Sequence, residues 1–106
     1  MANGTFSKTK LTSSSTPFDL HGVPSNVEFQ TLTISIFNNS PNASTVSLYT
    51  AISSPGAADI CAKPTIAPYG TYDYACRPFG PGEHIYAMCG DSSENVIHVF
   101  GLTKGA

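Results

Sequence analysis

The chain predicts an all-β fold: a single-domain β-sandwich, jelly-roll-like, of seven or eight short antiparallel strands with an extended N-terminal arm. Three observations predict it. Apolar residues recur with a period of two in several short runs. Pro, Gly, Asn and Ser punctuate those runs at near-regular spacing, as in sandwiches and barrels. No segment carries an apolar period of 3.6 over two turns.

The elements follow in order. Residues 1–15 are expected to form the arm and 16–106 the sandwich domain. In the arm, Phe6, Lys8 and Lys10 alternate with Thr5, Ser7 and Thr9 until Ser13-Ser-Ser15 breaks the pattern. Such an arm either frays as a terminus or adds a strand to a neighbour's sheet edge. Phe18 to Val23 reads as a short strand closed by Pro24. The centre of the chain is Phe29 to Ile52, read as a hairpin around which the rest packs. In its first strand Leu32, Ile34 and Ile36 share one face and Thr31, Thr33 and Ser35 the other. In its second, Val46, Leu48 and Ile52 oppose Thr45, Ser47 and Tyr49. The loop between them, Asn38 to Ser44, is built of turn formers, with Pro41 where no ladder donor is needed.

Ser53 to Ala58 is a loop and Asp59 to Lys63 a short strand. Thr71 to Arg77 is the next strand, with Tyr72, Tyr74 and Cys76 on one face and Asp73 and Arg77 on the other. Pro78 to Gly82 is a loop by composition. The last two strands, Glu83 to Cys89 and Val96 to Leu102, read as a second hairpin around the turn 90–95. Here the alternation loses contrast. Tyr86 and Met88 oppose Ile85 and Ala87, while Phe100 and Leu102 oppose Ile97 and Val99. A sandwich strand is normally wet on one side, so this second apolar face is expected to be covered, by the chain itself or by another subunit.

Composition narrows the function classes. Charged residues are 11% of 106, while Ser and Thr occupy 24 positions. The usual charged share is ~25%, and depletion of charge is a trait of interface cores. Net charge is −2, and the five Lys and Arg are scattered, so no nucleic-acid partner is expected. No apolar run approaches 18 residues and no apolar leader follows Met1, so neither a membrane span nor a secretory signal is expected.

Chemistry is sparse. Cys61, Cys76 and Cys89 are 15 and 13 residues apart, without the tight pairs of a structural zinc site, so buried thiols are the reading. Their odd number leaves one thiol over for an intersubunit disulfide. Gly90-Asp-Ser92 matches a nucleophile block of one esterase family. It lacks the strand-to-helix setting and a base held by a third group, so it reads as a turn. No carboxylates have the spacing of a hydrolytic pair, and Asp91 and Glu94 read as a solvated turn. No catalytic residue, metal or cofactor is expected. A sugar-binding platform of Tyr49, Tyr69 and Tyr86, with Tyr72 and Tyr74 as further stacking candidates, is the alternative from another class.

One resemblance sharpens this. A Thr/Lys-rich arm precedes a strand ending Ile36-Phe-Asn-Asn-Ser40. Then come Ala43-Ser-Thr-Val-Ser-Leu-Tyr49, a Pro68-Tyr-Gly70 turn, and Gly82-Glu-His-Ile-Tyr-Ala-Met-Cys-Gly-Asp91 before a final strand. Over roughly residues 5–102 this order resembles small β-sandwich virion proteins of tailed bacteriophages, among them capsid cement or decoration subunits and neck or tail components. Glu83 stands where that pattern usually has Asp. The resemblance implies a virion structural protein and transfers no catalytic residue. Its implied partners are copies of itself, as trimer or hexamer, and virion proteins such as the major capsid protein. The expected contact residues are Phe6, Lys8, Lys10 and Leu11 of the arm, with Tyr86, Met88, Phe100 and Leu102 of the last two strands.

Overall fold

The alternation along residues 27–38 holds in three dimensions. Gln30, Leu32, Ile34, Ile36 and Asn38 are buried, and every residue between them has solvent contact. The computed structural model describes residues 4–12, 16–91 and 93–105. Within them nine strands follow one another: β1 (Gly4–Leu11), β2 (Phe18–Gly22), β3 (Val27–Asn38), β4 (Ser44–Ala51), β5 (Ile60–Ala62), β6 (Thr65–Ile66), β7 (Thr71–Phe79), β8 (His84–Cys89) and β9 (Asn95–Gly105). One 3₁₀ turn, Ala57–Asp59, is the only helical element among the described residues.

The strands form two antiparallel sheets. Sheet A has the order β1-β9-β3-β7; sheet B has the order β2-β8-β4-β5, with β6 also paired to β4. The pairs β1 with β9, β2 with β8, β3 with β7 and β4 with β5 are nested, as in one long hairpin rolled over on itself. The pairings of β3 with β9 and β4 with β8 then close each sheet. This wrap is a jelly roll, so the expected all-β sandwich is present, with nine strands where seven or eight were counted.

Rolling corrects both expected hairpins. β3 lies in sheet A and β4 in sheet B, and the same holds for β9 and β8. Each pair faces across the core, and its loop is an arch that changes sheets. A period of two states which face is buried; it reads the same for a neighbour in one sheet and for a partner across the sandwich. The expected faces are right and the expected neighbours are not.

The expected arm is corrected too. Gly4–Leu11 is β1, paired along its length with β9 of its own chain. The Ser13-Ser-Ser15 break and residues 1–3 lie outside the described residues. The register slips by one between Thr5 and Ser7, so Phe6 is a bulge. Phe6 therefore turns inward and stacks on His21 at 5.0 Å between ring centroids. Beyond the bulge the parity resumes, with Lys8 and Lys10 outward and Leu11 in the core.

The same device recurs at the other edges. β2 bulges at Leu20, β7 carries an extra residue between Tyr74 and Arg77 and then Pro78, and β5 is three residues long. Bulges, proline and short length all blunt strand-on-strand pairing. The bulge in β7 also restores Phe79 to the core, so strand continues through part of the expected 78–82 loop.

The core is apolar at its middle and polar at its ends. Leu32, Ile34, Ile36 and Ile97, Val99 from sheet A meet Val46, Leu48, Ile85 and Ala87 from sheet B, all at most 1% exposed. At one end the His21 ring lies 2.7 Å from Gln30 Oε1, and Gln30 Nε2 donates to Thr103 Oγ1. At the other end sit both arches. Asn38 and Asn95 face each other in register, and the Asn39 backbone donates to the Glu94 carbonyl at 2.8 Å.

Candidate functional site

The residues expected to make contacts divide among three places. Lys8, Lys10, Phe100 and Leu102 come together on the outer face of sheet A. Strand register sets Lys8 opposite His98 and Lys10 opposite Val96, while Phe100 lies between Thr5 and Thr33. Phe29 and Phe37 belong to the same face. Phe29 and Phe37 are 36% exposed, Phe100 38% and Leu102 63%. Bare aromatic rings between columns of threonine and serine are poor solvents' partners, and such a patch marks a contact surface.

Tyr86 and Met88 are half-buried on the outer face of sheet B, on the opposite side of the sandwich. The single second face expected for the last two strands is thus two faces, because β8 and β9 belong to different sheets. Leu11 and Phe6 belong to neither. Leu11 is a core residue and Phe6 packs against the core, so both leave the set of contact residues.

Sheet B's outer face is flanked by acid. Asp19 accepts from the His84 ring at 2.8 Å, and Tyr86 follows His84 with ring centroids 6.1 Å apart. The His84 ring packs over Gly22, where a Cβ would collide with it. Asp59 and Glu83 line a recess of about 550 Å³ with Ile52 and Pro81 at one end. A second recess of about 350 Å³ lies at the other end, walled by Ser47, Lys63, Met88 and Asp91. Neither recess is enclosed by apolar walls with converging polar groups, the usual form of a small-molecule site.

The expected tyrosine platform does not assemble. Tyr49 and Tyr86 are cross-strand partners on sheet B's outer face, but Tyr49 is only 6% exposed and Tyr69 stands apart in the turn before β7. Tyr72 and Tyr74 pack against the core.

One polar cluster lies under the arches. The Asp91 carboxylate accepts hydrogen bonds from Ser44 Oγ at 3.1 Å, from the Cys89 thiol at 3.1 Å and from the Thr45 and Ser93 backbone N–H groups at 3.0 Å. Asn95 Nδ2 donates to Ser44 Oγ at 3.0 Å. Burial pushes the Asp91 carboxyl up, but these donors outweigh it and hold it at about 2. Burial also pushes the Cys89 thiol up, with Asp91 adding to the rise. A fully buried thiol beside a carboxylate is kept protonated and is no nucleophile. The cluster ties β4, β8 and the arch before β9 together; it is structural. Ser92 and the Cys76 side chain lie outside the described residues. Among the described residues no group of three or more His, Cys, Asp or Glu is placed to hold a metal.

This cluster makes a testable contribution to acid stability. Asp91 is ionised in the fold down to about pH 2, while an unfolded aspartate titrates near ~3.9. Its stabilisation is complete above pH ~4 and is lost as pH falls from there toward 2, amounting to about 2 kcal/mol. Urea melts of the wild type should weaken by that amount between pH 5 and pH 2. Asp91→Asn should be the less stable protein at pH 5 and should show a correspondingly smaller loss.

No helix among the described residues is long and apolar enough to cross a membrane. No protein-family model, no curated protein and no solved structure matches this chain.

Proposed function

We propose that this chain is a structural subunit of a tailed-phage virion, a capsid cement or decoration protein that works by docking its broad outer faces. The observation that carries the reading is the exposed apolar surface of sheet A, centred on Phe100 and Leu102. The buried Asn38, Ser40 and Ser44 side chains and the half-buried Asp91 are engaged in hydrogen bonds that hold the arches, which points to the outside of the sheets as the working surface. The nested wrap of strands suits that role: it leaves two broad, flat faces and blunted edges, so contacts form face-on rather than by strand addition. The placement on a virion rests on the order of sequence blocks from Ile36 to Asp91.

Particles purified from cells that carry the gene, banded on a density gradient and analysed by quantitative mass spectrometry, test it. A cement subunit co-bands with full heads at a copy number comparable to the major capsid protein. A handful of copies per particle would move the chain to the neck or tail. Absence from particles would overturn the reading.

A further inference from the structure

We propose that the two outer faces are each other's partners: the sheet-A face of one copy docks on the sheet-B face of the next. This rests on the reading of the chain as an assembly subunit and adds to it the identity of one partner, a second copy, and the mode of contact.

Three observations converge. The first is that the apolar side chains are split between two opposed faces, with Phe100 and Leu102 on one and Tyr86 and Met88 on the other. A face that used itself as partner would need only one patch. The second is charge. Three of the five cationic side chains, Lys8, Lys10 and Lys104, stand in the outward register of sheet A, with Asp73 and Glu28 near its rim and Glu94 held to Lys10 at 3.8 Å. Sheet B's outer side carries Asp19, Asp59 and Glu83, with Lys63 as the one lysine placed there among the described residues and Asp91 held in the cluster under the arches. Two sheet-B faces brought together would oppose carboxylates. The mixed arrangement instead brings the sheet-A lysines to those carboxylates. The third is shape. All four edges are blunted by bulges, proline or brevity, whereas the slab measures 44 × 27 × 17 Å. Each broad face can supply the ~800 Å² per partner of a standard interface.

Such a contact is heterologous: it uses different surfaces on the two copies. It therefore closes as a ring or grows as a column, and does not stop at a symmetric dimer.

A mixing experiment decides it. Phe100→Ser with Leu102→Ser disables the sheet-A face at exposed positions. Tyr86→Ser with Met88→Ser disables the sheet-B face, and Asp19→Lys serves as a second sheet-B variant at an exposed position should the first fold poorly. Each is run by size exclusion with light scattering from about 10 μM to 1 mM, with urea melts to confirm folding. The wild type should exceed the 11.1 kDa monomer mass and lose mass as salt is raised. Each variant alone should run as a monomer. The two variants mixed in equal amounts should restore a species of twice the monomer mass and nothing larger, since each brings one intact face. A variant that still dimerises alone would show a like-with-like interface and overturn the inference. So would a wild type that stays monomeric throughout. Either failure leaves the virion reading intact, because that reading is judged on particles.

Discussion

Gly101→Ala is expected to lower the urea midpoint by an amount equivalent to about 3 kcal/mol or more, or to leave no folded protein at all. Gly101 sits in β9 between Gly4 of β1 and Leu32 of β3. A Cβ built there lies 1.8 Å from the Thr31 carbonyl oxygen and 2.9 Å from its carbon. Backbone on a central strand cannot rotate aside as a side chain does. Relief requires β3 and β9 to separate where sheet A carries the core residues Leu32, Ile34 and Val99. Gly90→Ala is the control. It has no atom within 4 Å of the added carbon, and its midpoint should move by less than about 0.5 kcal/mol equivalent. Equal effects from the two substitutions would mean that the close approach of β9 to β3 does not exist in solution.

Asn38→Ala is the second large effect, expected to cost about 3 kcal/mol with an unchanged denaturant slope. The Asn38 side chain is fully buried. Its Nδ2 donates toward the carbonyls of Asn42, Ile66 and Ala67 at 2.7, 3.1 and 3.2 Å, and its Oδ1 accepts from Ser40 Oγ at 2.8 Å. These bonds pull the 39–43 arch inward and hold the chain between β6 and β7 against it. Alanine leaves buried carbonyls and a hydroxyl short of partners, and adds a small void. Asn42→Ala removes an exposed side chain and should stay within about 0.5 kcal/mol. The readout beyond stability is amide exchange. In Asn38→Ala the Tyr69 amide, which donates to the Ser40 carbonyl of this arch, and the Gly70 amide, which donates to the Ala67 carbonyl of the adjoining turn, should lose protection before those of the central strands.

Both substitutions touch what the residues alone left open. The class, nearly every strand and the inward face of most could be read from the residues alone. Leu32, Ile34, Ile36, Val46, Leu48, Ile85, Ile97 and Val99 were legible as core because alternation between apolar and hydroxyl side chains is a local property of the chain. The residues also marked Phe100 and Leu102 as surplus to a one-sided strand, and they are exposed.

Tertiary structure decided who neighbours whom. A residue's parity fixes its side of a sheet but carries no label for the partner strand, so β3 with β4 and β8 with β9 read as hairpins and are arches. Bulges are equally silent. One extra residue at Phe6 reverses parity, which is why Phe6 and Lys8 read as one face and stand on opposite ones. The contact set followed the same rule. Six of its eight members lie on the outer faces, yet only packing could send Tyr86 and Met88 to one side of the sandwich and Phe100 and Leu102 to the other. The polar cluster of Ser44, Cys89, Asp91 and Asn95 was hidden for the same reason. Its members are up to 51 residues apart along the chain, and hydrogen bonding at ~3 Å is a property of the roll, not of the alternation.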